Sequence, residues 1–312
     1  MIMNWAGKTA IVTGGAGFIG SHLVDGLVAA GANVVVADCI QQIGTANIAH
    51  LADRVRIVDC DVAANGAIAA LGKADAIFHL AALAVPSACE KNPEIAFRVN
   101  VQGTFNVLRH ALESGVEKVV FPSTAQLYGR YPKYLPIDEQ HPIEISGSVY
   151  NATKKIGEEL CNLFYEKHGL PVVWLRLFNC FGPRQTPDYL IPTIISQGLS
   201  GRIDLWNERP TRDFTYVGDT AAAFIKAAET RWCGGPINIG SGREVATGDL
   251  ARQVATGLGS ELTFQNREVT GCMRMLCDRR RAAAVLGWEP SVPFEQGLNM
   301  TIDWWKSRAA KK

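Results

Sequence analysis

The chain has 312 residues, of which 47% are hydrophobic and 20% charged, and its formal net charge is +1. This length and composition predict a folded protein with a substantial core, built as one large domain or two closely joined ones. The balanced charge gives no support for a nucleic-acid partner or for binding to a membrane surface, and no run of about 18 apolar residues indicates a membrane span.

The N-terminal residues Met1 to Lys8 lead directly into the first predicted strand, with no room for an apolar signal segment. The eight cysteines are scattered singly, without a C-x-x-C pair. Such cysteines are typical of reduced thiols and provide neither a disulfide framework nor a metal site. We therefore expect a cytoplasmic protein that binds no metal.

The first predicted strand, Thr9 to Thr13, ends in a glycine-rich turn, and a helical pattern follows over Ser21 to Ala30. Three glycines of the turn are spaced three apart: Gly14, Gly17 and Gly20. Such a turn lets the backbone approach a phosphate, and the amides at the helix start attract the anion. A glycine triplet alone indicates little, because glycine-rich turns occur in many folds.

The second predicted strand, Asn33 to Ala37, ends in Asp38. An acid at that place can bind both ribose hydroxyls of an adenosine, which favours NAD over NADP. The strand, glycine turn, helix, strand and acid together predict a dinucleotide site that takes NAD.

Strands and helices continue to alternate through the first half of the chain. Further strands are predicted over Val55 to Val58, Ala76 to Ala82 and Lys118 to Thr124, and the clearest helix over Glu94 to Glu113. Nearly all-apolar strands in this order indicate a Rossmann-type α/β fold, a doubly wound parallel sheet covered on both faces.

Ligands of such a sheet lie beyond the carboxyl ends of its strands. The strand ends would therefore line one cleft with Asp38, Asp61, Ala81, Ala82, Ser123 and Thr124. For Asp61 an ordinary turn or helix-capping role is equally open.

The regular alternation fades after Thr124. Tyr128 to Pro142 contains three prolines and predicts a surface excursion, and Ser148 to His168 predicts a long helix capped by Ser148. A strand follows over Val172 to Phe178. The later elements are predicted at 191–198, 211–217, 218–228, 236–239, 247–257, 279–286 and 294–306. They indicate a smaller mixed region packed against the first.

Tyr150 and Lys154 lie four residues apart on the long helix, so they share one face. A free phenol has a pKa of about 10. A neighbouring ammonium and the positive nicotinamide ring of NAD⁺ would stabilise the phenolate and lower that pKa. The pair alone is weak support, since a tyrosine and a lysine at this spacing arise by chance in most proteins of this size.

The order of the motifs resembles the extended short-chain dehydrogenase/reductases, specifically the NAD-dependent nucleotide-sugar epimerase/dehydratase family that includes the UDP-glucose 4-epimerases. The resemblance covers nearly the whole chain. The motifs of the first half are the glycine turn, Asp38, Asp61-Val62, His79-Leu80-Ala81-Ala82, Asn100, Ser123-Thr124 and Tyr150-x-x-x-Lys154. Those of the second half are residues 179–185, 212–219, 238–242 and 286–290.

The resemblance implies roles for individual residues. Tyr150 would take the proton from a sugar hydroxyl, Lys154 would tune Tyr150 and bind the nicotinamide ribose, and Thr124 would hydrogen-bond the same sugar oxygen. Ser123, one residue early, would be a helper at most. The residues implied in NAD binding are Gly14, Gly17, Phe18, Ile19, Gly20, Asp38, Asp61, Val62, Leu80, Ala81, Ala82, Asn100, Tyr150 and Lys154. Asn100 is expected to support the helix and the cofactor loop rather than to contact substrate.

The resemblance also implies a nucleotide-sugar substrate, with a UDP-sugar as the default. Asn179 and Arg212 match positions that hold its diphosphate, a task for which the planar fork of an arginine is suited. Arg274 is a second candidate phosphate contact, with simple surface solvation equally open. Tyr128 and the ranges 83–89 and 183–206 would shape the pocket. We expect an NAD-binding domain over 1–178, to which about 213–240 returns, and a nucleotide-sugar-binding domain over 179–312.

The chain departs from its relatives after Thr124. The 4,6-dehydratases carry acidic residues there, and the related decarboxylases tend to keep a glutamate, whereas this chain has Ala125 and Gln126. Neither can act as a general acid or base. We therefore expect a 4-epimerase that inverts C4 of a UDP-hexose through a 4-keto intermediate, with a dehydratase or keto-sugar reductase as the alternative. A non-catalytic NAD-binding regulator is disfavoured, because Thr124, Tyr150 and Lys154 are all present.

Helices that correspond here to about Glu94–Glu113 and Ser148–His168 pair into a four-helix bundle in the family. Their outward faces carry Ala, Leu and Phe as well as charges. A homodimer is therefore expected.

Overall fold

The computed structural model describes residues 4–145, 147–269 and 271–310. Met1 to Met3, the start of the predicted N-terminal segment, lie outside the described residues. The strands are β1 (Thr9–Thr13), β2 (Asn33–Asp38), β3 (Val55–Asp59), β4 (Ala76–His79), β5 (Lys118–Thr124), β6 (Val172–Leu177), β7 (Asn179–Phe181), β8 (Arg202–Leu205), β9 (Thr211–Tyr216), β10 (Pro236–Ile239), β11 (Glu244–Ala246) and β12 (Glu261–Phe264).

The helices follow the predicted order. They are α1 (Phe18–Ala29), α2 (Ile40–Ile43), α3 (Pro86–Lys91), α4 (Pro93–Phe97), α5 (Gly103–Ser114), α6 (Val149–His168), α7 (Leu190–Leu199), α8 (Val217–Glu229), α9 (Thr247–Leu258), α10 (Arg280–Leu286) and α11 (Phe294–Ala309). Across the three described ranges, no helix is both long enough and apolar enough to cross a membrane.

Seven parallel strands form the large sheet in the order β10-β6-β5-β4-β1-β2-β3. Successive side chains of a strand point to opposite faces, which produces two cores. Val12 of β1 packs in one core with Leu23 of α1 and with α8. Ile11 packs in the other core with Leu108 of α5 and with α6. The predicted Rossmann-type, doubly wound α/β fold is confirmed.

Several predicted elements have different bounds; α1, for example, begins at Phe18 rather than at Ser21. The fourth strand ends at His79, so Leu80 to Ala82 belong to the loop that follows it. The helix expected over Glu94 to Glu113 is interrupted by a π-helical turn, Arg98–Gln102, between α4 and α5. Such turns are frequent at functional sites. At its centre, Asn100 is buried and hydrogen-bonds outside its own helix, to Leu83 and Thr153.

The second half of the chain contributes to both parts of the fold. Strand β10 lies at the edge of the large sheet beside β6, and helix α8 packs on α1. Two small sheets, β11-β9-β7 and β12-β8, lie around a third core that contains Phe181, Phe214 and Phe294. Phe18 and Ile19 at the start of α1 also pack against this core. The glycine turn therefore lies where the large sheet meets the smaller region.

Candidate active site

The glycine turn after β1 is packed against the loop after β4. Gly14 has a φ of +71°, and its amide donates to the Ala37 carbonyl at 2.8 Å. A Cβ on Gly14 would lie 2.6 Å from the Ala81 nitrogen, and one on Gly20 would collide with the Gly14 carbonyl oxygen. The close approach of these backbones therefore requires glycine at both positions.

The start of helix α1 is open to an anion. Its N-cap, Gly17, supplies no side-chain hydrogen bond, and the first amides of a helix have no acceptor inside it. The amides of Phe18 and Ile19 lie in this first turn. An uncapped helix start after a glycine turn is suited to a phosphate group.

Asp38 lies at the carboxyl end of β2, beside the turn. It is 9% exposed, and its carboxylate accepts hydrogen bonds from the amides of Ala16 at 3.0 Å and Cys39 at 2.9 Å. Burial raises the pKa of this carboxyl, although both amides oppose the shift. The expected ribose-binding acid thus also holds the glycine turn against the end of β2.

Asp61, at the end of β3, forms an ion pair with Arg98 at 2.6 Å and accepts from the Ala63 amide at 2.9 Å. Burial opposes its ionisation, but Arg98 and the amide outweigh burial and lower its pKa. Val62 is buried, and its carbonyl accepts from Asn106 at 3.0 Å. The turn role and the cofactor role of Asp61 are both compatible with these contacts.

The loop after β4 is hydrogen-bonded to β1 and to Asn100 of the π-helical turn. The Leu80 amide donates to the Thr13 carbonyl at 2.9 Å, and the Ala81 amide donates to the Thr13 hydroxyl at 3.2 Å. Ala82 and Leu83 continue the loop, half-buried. Asn100 accepts from the Leu83 amide at 2.7 Å and donates to the Leu83 carbonyl at 3.1 Å. These bonds hold the loop in one conformation.

Tyr150 and Lys154 lie on α6, whose start is capped by the Ser148 hydroxyl. Tyr150 is 9% and Lys154 5% exposed, and the Lys154 ammonium lies 5.9 Å from the Tyr150 ring centroid. The ammonium donates to the Pro122 carbonyl at 2.9 Å. The Thr124 hydroxyl accepts from the Gln126 amide at 3.2 Å and acts to lower the pKa of the Tyr150 phenol. The structure thus brings Thr124, Tyr150 and Lys154 together.

The pKa of the Tyr150 phenol is shifted upward in the protein chain itself. Burial raises it and Tyr189 adds to the shift, while the Thr124 hydroxyl opposes them. Burial lowers the pKa of Lys154 to about 8. The lowered phenol pKa expected from the sequence depends also on the positive nicotinamide ring of NAD⁺, so it stays a prediction. In the protein chain itself, burial outweighs the favourable Thr124 hydroxyl.

Ser123 and Tyr128 belong to a buried network around one ion pair. Glu158 and Arg176 are paired through two hydrogen bonds of 2.7 and 2.8 Å. Ser123 donates to Glu158 at 2.5 Å, and Tyr128 accepts from Arg176 at 3.1 Å and donates to Asn238 at 2.6 Å. Ser123 is 2% and Tyr128 1% exposed. Both hydroxyls have protein partners, and their contact with a substrate stays a prediction.

The three predicted diphosphate contacts lie on or beside the small sheets. Asn179 of β7 donates to the Asp213 carbonyl at 3.3 Å, and Arg212 of β9 donates to the Thr211 carbonyl at 2.8 Å. Burial lowers the pKa of the Arg212 guanidinium. The exposed Arg274 is paired with Glu244 at 2.5 Å. Asn179 and Arg212 share one sheet, whereas Arg274 already has an acidic partner.

Comparison with known proteins identifies the family. The family model for the "NAD dependent epimerase/dehydratase family" matches residues 10–240. The chain belongs to this family. The UDP-glucose 4-epimerase of Mycolicibacterium smegmatis is 33% identical, with 96% of this chain and 99% of that protein covered. A UDP-N-acetyl-alpha-D-glucosaminuronate decarboxylase of Bacillus cytotoxicus is 32% identical, with 96% and 98% covered.

A solved structure agrees in fold. The UDP-glucose 4-epimerase of Thermotoga maritima, with UDP-glucose, matches with a TM-score of 0.90 and 28% identity, covering 96% of this chain and 99% of that one. The protein is therefore an enzyme of the nucleotide-sugar epimerase/dehydratase family, and NAD is its cofactor. The uncapped start of α1, the close backbone packing at Gly14 and Gly20, and the Asp38 carboxylate at the end of β2 fit a dinucleotide.

Several residues near the site do not stand out in the sequence. Tyr189 precedes α7, donates to the Ala84 carbonyl at a long 3.4 Å, and influences the pKa of Tyr150. Cys89 is fully buried in one cluster with Tyr150. Both fall within ranges expected to shape the pocket, yet no motif marks Tyr189. Glu158, one helical turn beyond Lys154, and Arg176, a charge inside an apolar strand, are the signals that could have revealed the buried pair.

Proposed function

We propose that this enzyme is a nucleotide-sugar 4-epimerase that inverts C4 of a UDP-hexose through a 4-keto intermediate, with Tyr150 as the base. The observation that carries the proposal is that Thr124 is followed by Ala125 and Gln126, neither of which is an acid or a base. The Glu90 carboxylate, which lies near the start of α6, accepts from the Val149 amide at 2.7 Å. Elimination of water needs such an acid or base, whereas epimerisation needs one reversible proton acceptor.

The residues after Thr124 support the same choice. Ala125 is 3% exposed and has no ionisable group, and the side chain of the exposed Gln126 is an amide, which does not ionise. Glu158 is the carboxylate that influences Lys154, and it is held by Arg176. Its charge is therefore committed to an ion pair rather than free for proton transfer.

The proton steps fall to three side chains. Tyr150 as phenolate accepts the proton of the sugar hydroxyl when C4 is oxidised, and returns it when C4 is reduced from the other face. Thr124 hydrogen-bonds the same sugar oxygen and orients it. Lys154, with a pKa near 8, is mostly charged at neutral pH, and its ammonium favours the phenolate. NAD⁺, when bound, supplies the acceptor and donor of the hydride.

The diphosphate would be held by Arg212 and Asn179, with Arg274 as a weaker candidate. Arg212 is half-buried, and an arginine in such a place can bind phosphate oxygens in pairs. The keto-sugar would turn within the site while the diphosphate stays bound. We accordingly divide the chain into an NAD-binding domain, 1–178 with 213–240, and a nucleotide-sugar-binding domain, 179–312.

The alternative within the family is a dehydratase or a keto-sugar reductase. The test incubates purified protein with a panel of UDP-, dTDP- and GDP-sugars that includes UDP-glucose and UDP-glucuronic acid. The absorbance of NADH is followed, and the products are analysed by NMR and mass spectrometry. An epimer of unchanged mass without a steady NADH signal is expected. Loss of water, release of carbon dioxide or a steady NADH signal would refute the epimerase.

We also propose a homodimer formed through α4 to α6. Apolar side chains are exposed on these helices, with Ile95 at 47%, Phe97 at 42%, Phe105 at 37% and Leu163 at 45%. Exposed apolar groups on neighbouring helices are typical of protein interfaces. Light scattering should give twice the chain mass for the protein, and Phe97→Glu with Leu163→Glu should give a monomer. A wild-type monomer would contradict the proposal.

A further inference from the structure

His79, the last residue of β4, lies in a buried chain of hydrogen bonds that the proposed reaction does not use. Its ring is 2% exposed. The Nδ1 atom is 2.8 Å from the Thr13 hydroxyl, and the Nε2 atom is 3.0 Å from the Thr104 hydroxyl. Both partners belong to the framework of the NAD site: Thr13 ends β1, and Thr104 follows the π-helical turn.

The direction of each bond follows from counting protons. The Thr104 hydroxyl donates its proton to the Asn100 carbonyl at 2.6 Å, so it can only accept from His79, and Nε2 must carry a hydrogen. At the other side, the Thr13 hydroxyl accepts from the Ala81 amide at 3.2 Å. Its own proton is therefore free to be donated to Nδ1, which must be unprotonated.

The ring is neutral for an independent reason. A protonated Nδ1 would leave the Thr13 proton without this acceptor, and a cation buried to this degree would need a carboxylate partner. Burial lowers the pKa of His79 to about 3, and the nearby charge that adds to this shift is the like charge of Lys154. Every hydrogen of the chain thus has one acceptor.

The chain continues to the catalytic helix. The Asn100 side chain donates to the Thr153 hydroxyl at 3.0 Å, and that hydroxyl donates to the Tyr150 carbonyl at 2.8 Å. The same side chain makes both bonds to Leu83 in the loop after β4. Asn100 connects the two parts of this chain, because its main-chain carbonyl accepts from Thr104 and its side chain bonds Leu83 and Thr153. Ala81, in the cofactor loop, is thereby connected to the backbone of Tyr150.

We propose that His79, held as the neutral Nε2–H tautomer, is a positioning residue that aligns the loop 80–83 with the start of α6. It touches no reacting atom. Its ring links Thr13 to Thr104, because the Nδ1 atom accepts on one side and the Nε2–H group donates on the other. This role rests on the family's use of NAD and not on which sugar carbon is inverted.

The tautomer is tested directly by long-range proton–nitrogen NMR of holoenzyme labelled with ¹⁵N-histidine. His79→Gln assigns the signal, and the exposed His168 is the reference in the same spectrum. We expect a protonated Nε2 and an unprotonated Nδ1. Neither should change between about pH 5 and pH 9, because burial lowers the pKa of His79 in the folded protein to about 3. A protonated Nδ1, or a titration within that range, would overturn the proposal.

The positioning role is tested by a matched pair of variants. Thr104→Val removes the acceptor of His79 while keeping a similar volume, and Thr104→Ser keeps the hydroxyl. The His79 Nε2–H is then a buried donor without an acceptor, so NAD should leave the Thr104→Val holoenzyme about tenfold faster than wild type. Thr104→Ser should stay within about threefold, and equal rates for Val and wild type would overturn the role.

A second pair covers the case in which Thr104→Val does not fold. Thr13→Val removes the donor to Nδ1, and Thr13→Ser retains it. The same tenfold and threefold effects on NAD release are expected. Both readouts are made without a sugar substrate, so an unexpected reaction product would refute the epimerase and leave the role of His79 intact.

Discussion

The candidate NAD site at the ends of β1, β2 and β4 is called the NAD half here, and the candidate diphosphate contacts at the small sheets the sugar half. The NAD half consists mainly of backbone groups, and the sugar half of long side chains. At the ends of β1, β2 and β4, backbone groups and short side chains form the site, and the described contacts already hold them in place. Asp38, for example, is bonded to two amides. On and beside the small sheets, the candidate diphosphate contacts are long arginines such as Arg212 and Arg274. The described partner of Arg212 is a carbonyl, and that of Arg274 is a glutamate.

This difference separates rigid from adaptable recognition. The family is NAD dependent, and a site made of backbone cannot change without changing the sheet. Sugar substrates differ, and long side chains can exchange one partner for another. The NAD half should therefore tolerate almost no substitution, and the sugar half should lose affinity gradually.

The largest effect is expected at the catalytic tyrosine. Tyr150→Phe removes the proton acceptor and keeps the ring in its buried place. General-base catalysis contributes about 10²–10⁴-fold, so turnover of the active sugar from the panel should fall by about a thousandfold. NAD should still co-purify, because the backbone site is untouched. Turnover within about tenfold of wild type would show that Tyr150 is not the base.

The next effect tests how rigid the NAD half is. Gly20→Ala places a Cβ against the Gly14 carbonyl oxygen, which belongs to a fixed backbone. We expect the free energy of unfolding to fall by about 3 kcal/mol or more, and NAD binding to be lost. Chemical denaturation and titration calorimetry measure both quantities.

Gly26→Ala is the matched control on the same helix. Its Cβ would lie 2.9 Å from the Ile225 Cδ1 atom, the end of a flexible side chain. Alanine also favours a helix over glycine by about 1 kcal/mol, so this variant should stay within about 1 kcal/mol of wild type. Equal losses for both variants would break the distinction between backbone and side-chain contacts.

The sugar half should respond more gently. Arg212→Lys keeps the charge but removes the paired hydrogen bonds, and it should weaken UDP binding about tenfold. Arg274→Lys should change UDP binding less than threefold, because its partner is Glu244 in an exposed pair and such pairs contribute about 0–1 kcal/mol. A larger effect at Arg274 than at Arg212 would reverse their assigned importance.

The last prediction concerns the free energy of unfolding, which the buried charge of Lys154 lowers. Burial moves its folded-state pKa from 10.5 to about 8, so below pH 8 the buried charge destabilises the fold in full. Each pKa unit corresponds to about 1.4 kcal/mol, and loss of the hydrogen bond to Pro122 offsets about 1 kcal/mol. Lys154→Met should therefore be more stable than wild type by about 2 kcal/mol at pH 7.

The same substitution has a defined pH dependence. The unfolded state holds more protons than the folded state between pH 8 and 10.5, so wild-type stability should rise across that window. Lys154→Met should lack this rise, and its advantage should vanish above it. Denaturation at pH 7, 9 and 11 measures the difference. A wild type that is more stable than the variant at pH 7 would contradict the cost assigned to burial.

Elements that depend on periodicity and on strand ends were predictable from the sequence. Strand β5 has the expected bounds, and the long helix is capped by Ser148 as expected. These features depend on local chemistry, apolar runs and a hydroxyl before a helix. The order of motifs then identified the family without any knowledge of contacts.

The remaining features depend on neighbours that are distant in the chain. The π-helical turn at Asn100 accompanies hydrogen bonds to Leu83 and Thr153, and the raised pKa of Tyr150 depends on how deeply the fold buries it. Glu244, the partner of Arg274, is on strand β11, 30 residues earlier in the chain. Charge and residue type are visible in a sequence, but burial and pairing are set by the tertiary fold.

One measurement tests the proposed epimerase most directly. UDP-glucose carrying deuterium at C4 is incubated with the purified enzyme, with no NAD or reductant added, and the product is examined by NMR. We predict UDP-galactose of unchanged mass that keeps the deuterium at C4, because the hydride returns to the carbon it left. A product that has lost water, or deuterium lost from C4, would contradict inversion at C4 with Tyr150 as the base.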